Sequence, residues 1–284
     1  MAVGEIATPL TLLAMQRPIG MFDSGFGGLT VARAVIDLLP DEDLVYVGDT
    51  GRYPYGPRPQ AEVREFARQL AWSLVKEHDV KALIVACNTA SAAALDLLES
   101  EMPVLVIDVV APGARALVHA TRSGNVGVIG TVGTIGSGAY DRAVTTASTA
   151  AGRDVQLTAA ACPGFVEFVE RGQTSGEDVT ILAERLLAPI QQAGVDALLL
   201  GCTHYPYLAD VISDVMGPEV TLVNSADATA LAARDELTSA GLVRQPDGQQ
   251  AVHRFLSSGD ISWFADLGGR LLGPELRDAE QWHH

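Results

Sequence analysis

Short apolar runs alternate with longer amphipathic stretches along the 284-residue chain. Continuous apolar runs bounded by turn residues are typical of strands that are buried on both faces, as in a parallel sheet. Between them, apolar residues at helical spacing predict helices at Leu29–Leu39 and Gln60–His78 that cover the sheet. The predicted strands of this first series are Pro18–Phe22, Leu44–Gly48, Ala82–Ala86 and Val104–Val109.

A second series repeats the same order at similar intervals. Its predicted strands are Asn125–Ile129, Val155–Ala160, Ala197–Leu200 and Glu219–Val223, and its helices are Tyr140–Ala151, Asp178–Ala193 and Leu208–Val215. In both series a Gly-rich turn follows the first strand, and a cysteine with polar neighbours follows the third (Cys87-Asn88-Thr89 and Cys202-Thr203-His204). We therefore predict an internally duplicated α/β fold of two pseudo-symmetric Rossmann-like domains. Each has a mainly parallel sheet flanked by helices, and the active site lies in the cleft between them.

The duplication predicts a division of the chain. Residues 1–17 form an N-terminal extension, and residues 113–223 form the second domain. The helix Ala226–Ala240 and the apolar end Val252–Leu272 are expected to return to the first half. The first domain is therefore predicted to be discontinuous, with residues 18–112 plus 224–284.

Composition excludes several classes of protein. The formal net charge of −16 repels phosphate backbones, so nucleic acid is not expected as the main partner. No apolar run reaches the roughly 18–20 residues needed to span a bilayer. Leu10–Met15 is short and follows no basic residue, which argues against a signal peptide. Three cysteines cannot all pair, which suits a reducing cytoplasm.

Two further patterns predict that the protein uses neither cofactor nor metal. The chain has only two lysines, Lys76 in a predicted helix and Lys81 before a strand, and neither is well placed to hold pyridoxal phosphate. The three cysteines and His204 lack the paired short spacings of a metal site.

Polar residues collect where the predicted strands end, which is where open parallel sheets bind ligands. They are Asp23-Ser24, Asp49-Thr50, Cys87-Asn88-Thr89, Thr131, Cys162 and Cys202-Thr203-His204. The turn Asp23–Gly28 has no third glycine of a dinucleotide motif, and Gly130–Gly138 has no Gly-Lys-Ser/Thr. Each turn is either a tight connection only or a site for a small anion such as a carboxylate.

Either cysteine alone would be interpreted as a small buried apolar residue. Together, Cys87 and Cys202 end equivalent strands and can face each other across a cleft, and a helix start after each is expected to lower the thiol pKa. One thiolate and one thiol on opposite faces of a carbon can remove and return a proton, which inverts that carbon. Cys162, which precedes Pro163, is expected to be structural.

Other residues allow two interpretations each. Asp23 can cap a helix or act beside Cys87, and His204 can be structural, tune Cys202 or contact a substrate. On pattern alone Glu170 is an exposed helix carboxylate, and Pro54-Tyr55-Gly56 is a loop turn.

Six segments in order resemble the glutamate racemase family, within the aspartate/glutamate racemase superfamily, and the resemblance covers roughly Pro18 to Asp227. They are Phe22–Val31, Gly48–Thr50 with Pro54–Gly56, Ala86–Ser91, Ile129–Thr131 through Ser137–Tyr140, Cys162-Pro163 through Glu170, and Gly201–Pro206. The resemblance implies cofactor-independent interconversion of L- and D-glutamate, which supplies D-glutamate for peptidoglycan, with glutamate as the small-molecule partner. The short apolar runs predict no membrane partner, and the cysteine count predicts a cytoplasmic location.

The resemblance also implies roles for individual residues. Cys87 and Cys202 would be the acid/base pair, assisted by Asp23, Glu170 and His204. The implied substrate contacts are Asp23, Ser24, Tyr55, Gly56, Asn88, Thr89, Thr131, Thr203 and His204. Aspartate racemases share the two-cysteine mechanism, but the run Thr203-His204-Tyr205-Pro206 favours glutamate as the substrate. A non-catalytic amino-acid-binding module would leave the paired cysteines unexplained. The oligomeric state is left open, and a homodimer is one expectation.

Overall fold

The computed structural model describes residues 13–246 and 248–283, and in these the chain forms two parallel sheets flanked by helices. The strands are β1 (Ile19–Asp23), β2 (Leu44–Gly48), β3 (Ala82–Val85), β4 (Leu105–Asp108), β5 (Asn125–Gly130), β6 (Gln156–Ala161), β7 (Ala197–Gly201), β8 (Thr221–Asn224), β9 (His253–Ser257) and β10 (Glu280–Gln281).

The helices lie between these strands and after them. They are α1 (Leu29–Leu38), α2 (Gln60–His78), α3 (Asn88–Glu101), α4 (Val110–Ala120), α5 (Val132–Gly136), α6 (Ala139–Ala151), α7 (Phe165–Glu170), α8 (Glu177–Gln192), α9 (Ala209–Met216), α10 (Ser225–Ser239) and α11 (Ile261–Leu272). A 3-10 turn, Tyr205–Leu208, precedes α9. None of the helices in the described ranges is long and apolar enough to cross a membrane.

The two sheets share one strand order. The first has the order β10-β9-β2-β1-β3-β4 and the second β6-β5-β7-β8, and every pairing is parallel. The stretch β2-β1-β3-β4 therefore corresponds strand for strand to β6-β5-β7-β8. The predicted fold class, two pseudo-symmetric parallel α/β units, is confirmed.

Burial on both faces explains why the strands are continuous apolar runs. In β1, Met21 packs into a core formed with α1, α10 and α11, whereas the next residue, Phe22, packs into a core formed with α2 and α3. Both side chains are fully buried. The second sheet is covered in the same way, by α8 and α9 on one face and by α4 and α6 on the other. A strand with two buried faces cannot show polar alternation.

Strand register brings the carboxyl ends of the strands together at one edge of each sheet. Asp23 pairs with Gly48 at the end of β1 and β2, and Gly130 pairs with Gly201 at the end of β5 and β7. The loops that follow these strands carry the polar residues singled out above, so the register places them beside one another.

The C-terminal segment extends the first sheet. Strand β9 pairs with β2 along its whole length, and β10 pairs with β9. These two strands and α11 are not assigned by the sequence pattern, nor are helices α3 and α4. We keep the division into residues 18–112 plus 224–284 and residues 113–223 as our proposal, which this sheet order supports.

The predicted N-terminal extension is described only in part, since residues 1–12 lie outside the described residues. In the described part, Met15 is buried, and its carbonyl accepts a hydrogen bond from Lys81 Nζ at 2.7 Å. Residues next to the first strand are therefore packed on the first unit.

Candidate active site

One cavity lies where the carboxyl ends of both sheets meet. Its volume is about 90 Å³. Since a single water needs about 10–15 Å³, the cavity has room for about six to nine water-sized groups, which suits a small ligand. All of the predicted site residues except Asp23 and Glu170 line it, namely Ser24, Tyr55, Gly56, Cys87, Asn88, Thr89, Thr131, Cys202, Thr203 and His204.

Cys87 lies between β3 and α3 and is the N-cap of that helix. Its Sγ accepts a hydrogen bond from Ala90 N at 3.4 Å and lies 3.7 Å from Ser24 Oγ. Burial and the nearby negative charge of Asp23 raise the pKa of the Cys87 thiol to about 12, although the N–H of Ala90 lowers it. The helix start thus lowers this pKa as expected, but the net shift is upward, because desolvation outweighs the helix end.

Asp23 does not line the cavity itself but contacts residues that do. The side chain is fully buried, and its carboxylate accepts hydrogen bonds from Gly25 N at 2.8 Å and Thr203 Oγ1 at 3.5 Å. Burial raises the pKa of Asp23, and the charge of His204 and the loop N–H groups partly oppose this shift. Asp23 thus connects the Cys87 side of the cavity with Thr203 on the Cys202 side.

Cys202 has a different environment, built around His204. The Sγ of Cys202 lies 3.9 Å from His204 Nδ1, and Nε2 of the same ring lies 3.4 Å from Glu170 Oε1. The latter contact is an ion-pair distance without hydrogen-bond geometry. Burial lowers the pKa of His204, but its contacts with Cys202 and Glu170 and the charge of Asp23 outweigh burial and raise the pKa to about 10. A positive imidazolium therefore lies beside the Cys202 sulfur at neutral pH.

Neutral polar groups line the side of the cavity between the cysteines. The hydroxyls of Thr89, Thr131 and Thr134 lie 2.9–3.2 Å from one another. Asn88 Nδ2 donates to the Tyr140 hydroxyl at 2.7 Å, and Asn88 Oδ1 is buried without a partner among the described residues. The described wall contains neither lysine nor arginine.

The two halves approach each other closely at two glycines. A Cβ atom at Gly27 would lie 2.2 Å from Thr203 Oγ1 and 2.5 Å from His204 Nδ1, so only glycine fits there. Gly56 O accepts a hydrogen bond from Gly133 N at 2.9 Å, and a Cβ atom at Gly56 would lie 3.0 Å from Thr131 Cβ.

Sequence reasoning missed part of the wall. Tyr53, Val132 and Glu167 line the cavity, and so does Cys162, which we expected to be structural. Burial raises the pKa of Cys162 to about 12. The signal for Cys162 was available, because it directly follows β6 at the carboxyl edge of the second sheet. Tyr53, a single aromatic residue before a proline, gives no comparable signal.

Both lysines lie away from the cavity. Lys81 is buried in an ion pair with Glu42 at 2.5 Å, and Lys76 Nζ lies 4.7 Å from the centre of the Trp72 ring. Among residues 13–246 and 248–283 there is no group of three or more His, Cys, Asp or Glu side chains that could hold a metal ion.

Comparison with known proteins agrees with this arrangement. A model of the Asp/Glu/Hydantoin racemase family matches residues 29–233. The chain belongs to this family. A glutamate racemase from Parafrankia sp. is 53% identical to this racemase-family chain over 259 residues, which cover 91% of the chain and 92% of that protein. The predicted family resemblance is confirmed.

Solved structures of racemases superpose on the whole fold. The glutamate racemase isoform RacE1 from Bacillus anthracis is 38% identical with a TM-score of 0.87, and the match covers 95% of this chain and 98% of that one. A glutamate racemase from Francisella tularensis, solved in complex with D-glutamate, is 32% identical with a TM-score of 0.86 and the same coverage.

Proposed function

We propose that this racemase-family protein interconverts L- and D-glutamate and that Cys87 and Cys202 are its two acid/base residues. The observation that carries the proposal is that the two cysteines follow corresponding strands, β3 and β7, and line one cavity. Two groups from opposite sides of a bound carbon are what inversion by proton transfer requires.

Glutamate is the proposed substrate because the relatives across nearly the whole chain are glutamate racemases. The chemistry of the wall supports an amino dicarboxylate. The hydroxyls of Ser24, Thr89, Thr131 and Thr203 can donate to carboxylate oxygens, and the unpartnered Asn88 Oδ1 can accept from the ammonium group. Neutral donors can bind carboxylates without adding a further positive charge to that of His204 beside Cys202.

The proposed reaction moves one proton off the α-carbon and another onto it. With L-glutamate, the Cys202 thiolate takes the α-proton, and the carbon keeps the bonding electron pair as a carbanion. The Cys87 thiol then donates its proton to the opposite face, which leaves D-glutamate, a Cys202 thiol and a Cys87 thiolate. The reverse reaction uses the same groups in exchanged roles, and exchange with solvent restores the starting protonation.

The electrostatic environment favours this starting state. The His204 imidazolium lies beside the Cys202 sulfur, whereas burial and the charge of Asp23 keep Cys87 as a thiol. Hydrogen-bond donors already oriented around the substrate carboxylate would stabilise the carbanion. By the family resemblance, we assign Cys202 to L-glutamate and Cys87 to D-glutamate.

The cellular role that we propose is supply of D-glutamate for peptidoglycan. A cytoplasmic location is supported by the free thiols of all three cysteines. A homodimer stays a prediction, which sedimentation equilibrium of the purified protein tests.

The direct test is exchange of the α-proton of each glutamate enantiomer in deuterated water without added cofactor. We expect both enantiomers to gain deuterium and to racemise. Activity should persist after dialysis against a chelator and hydroxylamine, because both lysines lie outside the cavity wall. Loss of activity that pyridoxal phosphate or a metal ion restores would contradict the proposal.

A further inference from the structure

The loop between β2 and α2, residues 49–59, forms one wall of the cavity through Tyr53–Pro57. All of its residues are described, and they form neither helix nor strand. Without a regular backbone ladder, the position of such a loop depends on the hydrogen bonds that its side chains make. In this loop those bonds converge on the carboxylate of Asp49, the first residue after β2.

The carboxylate of Asp49 is buried and fully engaged. Its Oδ2 accepts hydrogen bonds from Arg52 Nε at 2.6 Å and from the hydroxyl of Tyr55, and its Oδ1 accepts from Ser258 Oγ at 2.6 Å. The side chain of Asp49 has no exposed surface. Arg52 lies with its guanidinium 4.2 Å from the centre of the Phe66 ring, outside the cavity wall. Asp49 therefore holds the loop at two points and connects it to a distant part of the chain.

That distant part is the end of β9 in the C-terminal segment. Ser258 Oγ also accepts from Gly51 N at 2.9 Å, and the hydroxyls of Ser257 and Thr50 lie 2.6 Å apart. Gly259 N donates to Thr50 Oγ1 at 3.1 Å. A Cβ atom at Gly259 would lie 2.5 Å from the same hydroxyl oxygen, so the backbones meet there without space for a side chain.

The other end of the loop carries the two predicted substrate contacts. The hydroxyl of Tyr55 is occupied by Asp49, and the side chain is 1% exposed, so it does not reach freely into the cavity. Besides Tyr53, Pro54 and Pro57, the loop therefore offers a ligand the part of Tyr55 other than its hydroxyl and the backbone around Gly56. That backbone is in turn held against the second half by the Gly133 N–H and by contact with Thr131.

We propose that Asp49 and Ser258 are positioning residues for the substrate: they fix the Tyr55-Gly56 backbone at the cavity, and the end of β9 thereby becomes part of the binding site. This inference rests on the proposed function for its substrate. Neither residue lines the cavity, and each acts through the loop that it holds.

The test compares Ser258→Ala and Tyr55→Phe with Ser262→Ala, which removes an exposed hydroxyl a few residues further along the same segment. Steady-state kinetics with both glutamate enantiomers should show KM raised about 5- to 20-fold in Ser258→Ala and Tyr55→Phe with kcat within about two-fold. Ser262→Ala should match the unmodified protein. Because both substitutions weaken one network, the double variant should lose less than the product of the two single losses.

Hydrogen–deuterium exchange gives a readout that does not need activity. In Ser258→Ala, the peptide that covers residues 49–59 should exchange faster, while the peptide that covers β5 keeps its rate. Unchanged KM, or unchanged exchange in the loop of a folded Ser258→Ala protein, overturns the inference. If the unmodified protein fails to racemise glutamate, the proposed function is wrong, and loop exchange alone then decides the positioning role.

Discussion

The two cysteines occupy equivalent positions in the duplicated fold, yet their surroundings differ in charge. Cys87 faces a carboxylate, Asp23, and a neutral hydroxyl, Ser24, whereas Cys202 faces a cationic ring, His204. The duplication thus repeats the backbone and the sulfur position but not the charge next to each sulfur. In the proposed two-base reaction, this difference bears on which of the two protonation states the free site adopts, since one group starts as thiolate and the other as thiol.

The difference arises from residues that the two halves do not share. On the Cys202 side, Glu170 from helix α7 reaches His204 and favours its charged form. On the Cys87 side, the helix start provides a backbone N–H, and burial is the stronger influence. The two sulfurs therefore occupy equivalent positions in different electrostatic environments.

Replacing either cysteine by alanine should have the largest effect, with loss of net racemisation by at least about 10³-fold, because inversion needs both groups. The comparison of the two cysteines also predicts which exchange reaction each variant keeps. In deuterated water, Cys87→Ala should still exchange the α-proton of L-glutamate, and Cys202→Ala that of D-glutamate, each without inversion. Proton NMR of each enantiomer measures this.

Cys162→Ala is the matched control and should be only mildly affected, although that residue also lines the cavity. Exchange of both enantiomers by one single-cysteine variant would break the assignment of one face to each sulfur. A fully active Cys202→Ala protein would contradict the two-base scheme itself.

His204→Asn should lower kcat/KM by about 10²- to 10³-fold, because the Cys202 thiolate loses its cationic neighbour. The dependence of kcat/KM on pH tests the same charge. His204 stays protonated below its pKa of about 10, so kcat/KM of the unmodified protein should fall as the pH rises through about 10. The variant should lack this alkaline limb. Profiles recorded with His119→Asn, an exposed histidine on α4, provide the control.

The same pKa predicts a change in stability. The folded-state pKa of His204 is raised above its ordinary value of 6.5, so the stabilisation is complete below about pH 6.5 and is lost as the pH rises through about 10. Urea unfolding at several pH values measures it. The unmodified protein should be more stable than His204→Asn at low pH, and this difference should decrease over this pH range. A difference that does not decrease would contradict a charged His204 beside Glu170 and Cys202.

Removing a neutral donor should cost less. Ser24→Ala and Thr89→Ala should each lower kcat/KM by about 5- to 150-fold, the loss of one hydrogen bond of about 1–3 kcal/mol. Because the enantiomers have equal free energy in solution, kcat/KM must fall equally in both directions, and an asymmetry can appear only in kcat or KM. Thr145→Ala, an exposed threonine on α6, is the matched control. Silent Ser24 and Thr89 variants would contradict substrate binding by neutral donors.

Arg52→Ala should have the smallest effect, below that of either hydroxyl deletion, because it removes only one of the bonds by which Asp49 holds the loop and leaves those of Tyr55 and Ser258. Its guanidinium is directed away from the cavity, towards Asp49, Gln69 and the Phe66 ring. Kinetics of Arg52→Ala and Thr89→Ala side by side provide the check. If Arg52→Ala abolished glutamate binding, the guanidinium of Arg52 would be a direct ligand of a substrate carboxylate, and the proposed binding by neutral donors would be wrong.

Strands were the most predictable part of the fold, because two-sided burial makes them continuous apolar runs; β2 has the predicted bounds, and β1 is shifted by one residue. Helix α3 lacks such a signal, since its alanine-rich sequence gives a weak amphipathic pattern. Strand β9 begins His253-Arg254, and its apolar part is only two residues long, so its place beside β2 depends on tertiary pairing.

The site was predictable where chemistry follows a strand end directly, as at Ser24, Cys87 and Cys202. It was not predictable where a partner comes from elsewhere in the chain. Nothing in the pattern around Glu170 indicates that it reaches His204, and the family resemblance suggested only that both residues assist the thiols. The pKa of Cys87 was misjudged for a related reason, because burial by the surrounding elements is absent from local sequence.

The close approach at Gly27 has a consequence for how much error the site tolerates. A single added methyl group would overlap the side-chain atoms of both Thr203 and His204, although it would alter none of the reacting groups. The loop that contains Gly27 in one half thus packs directly against Thr203 and His204 of the other half. The packing between the two halves at Gly27 therefore helps to fix the positions of Thr203 and His204 in the cavity wall.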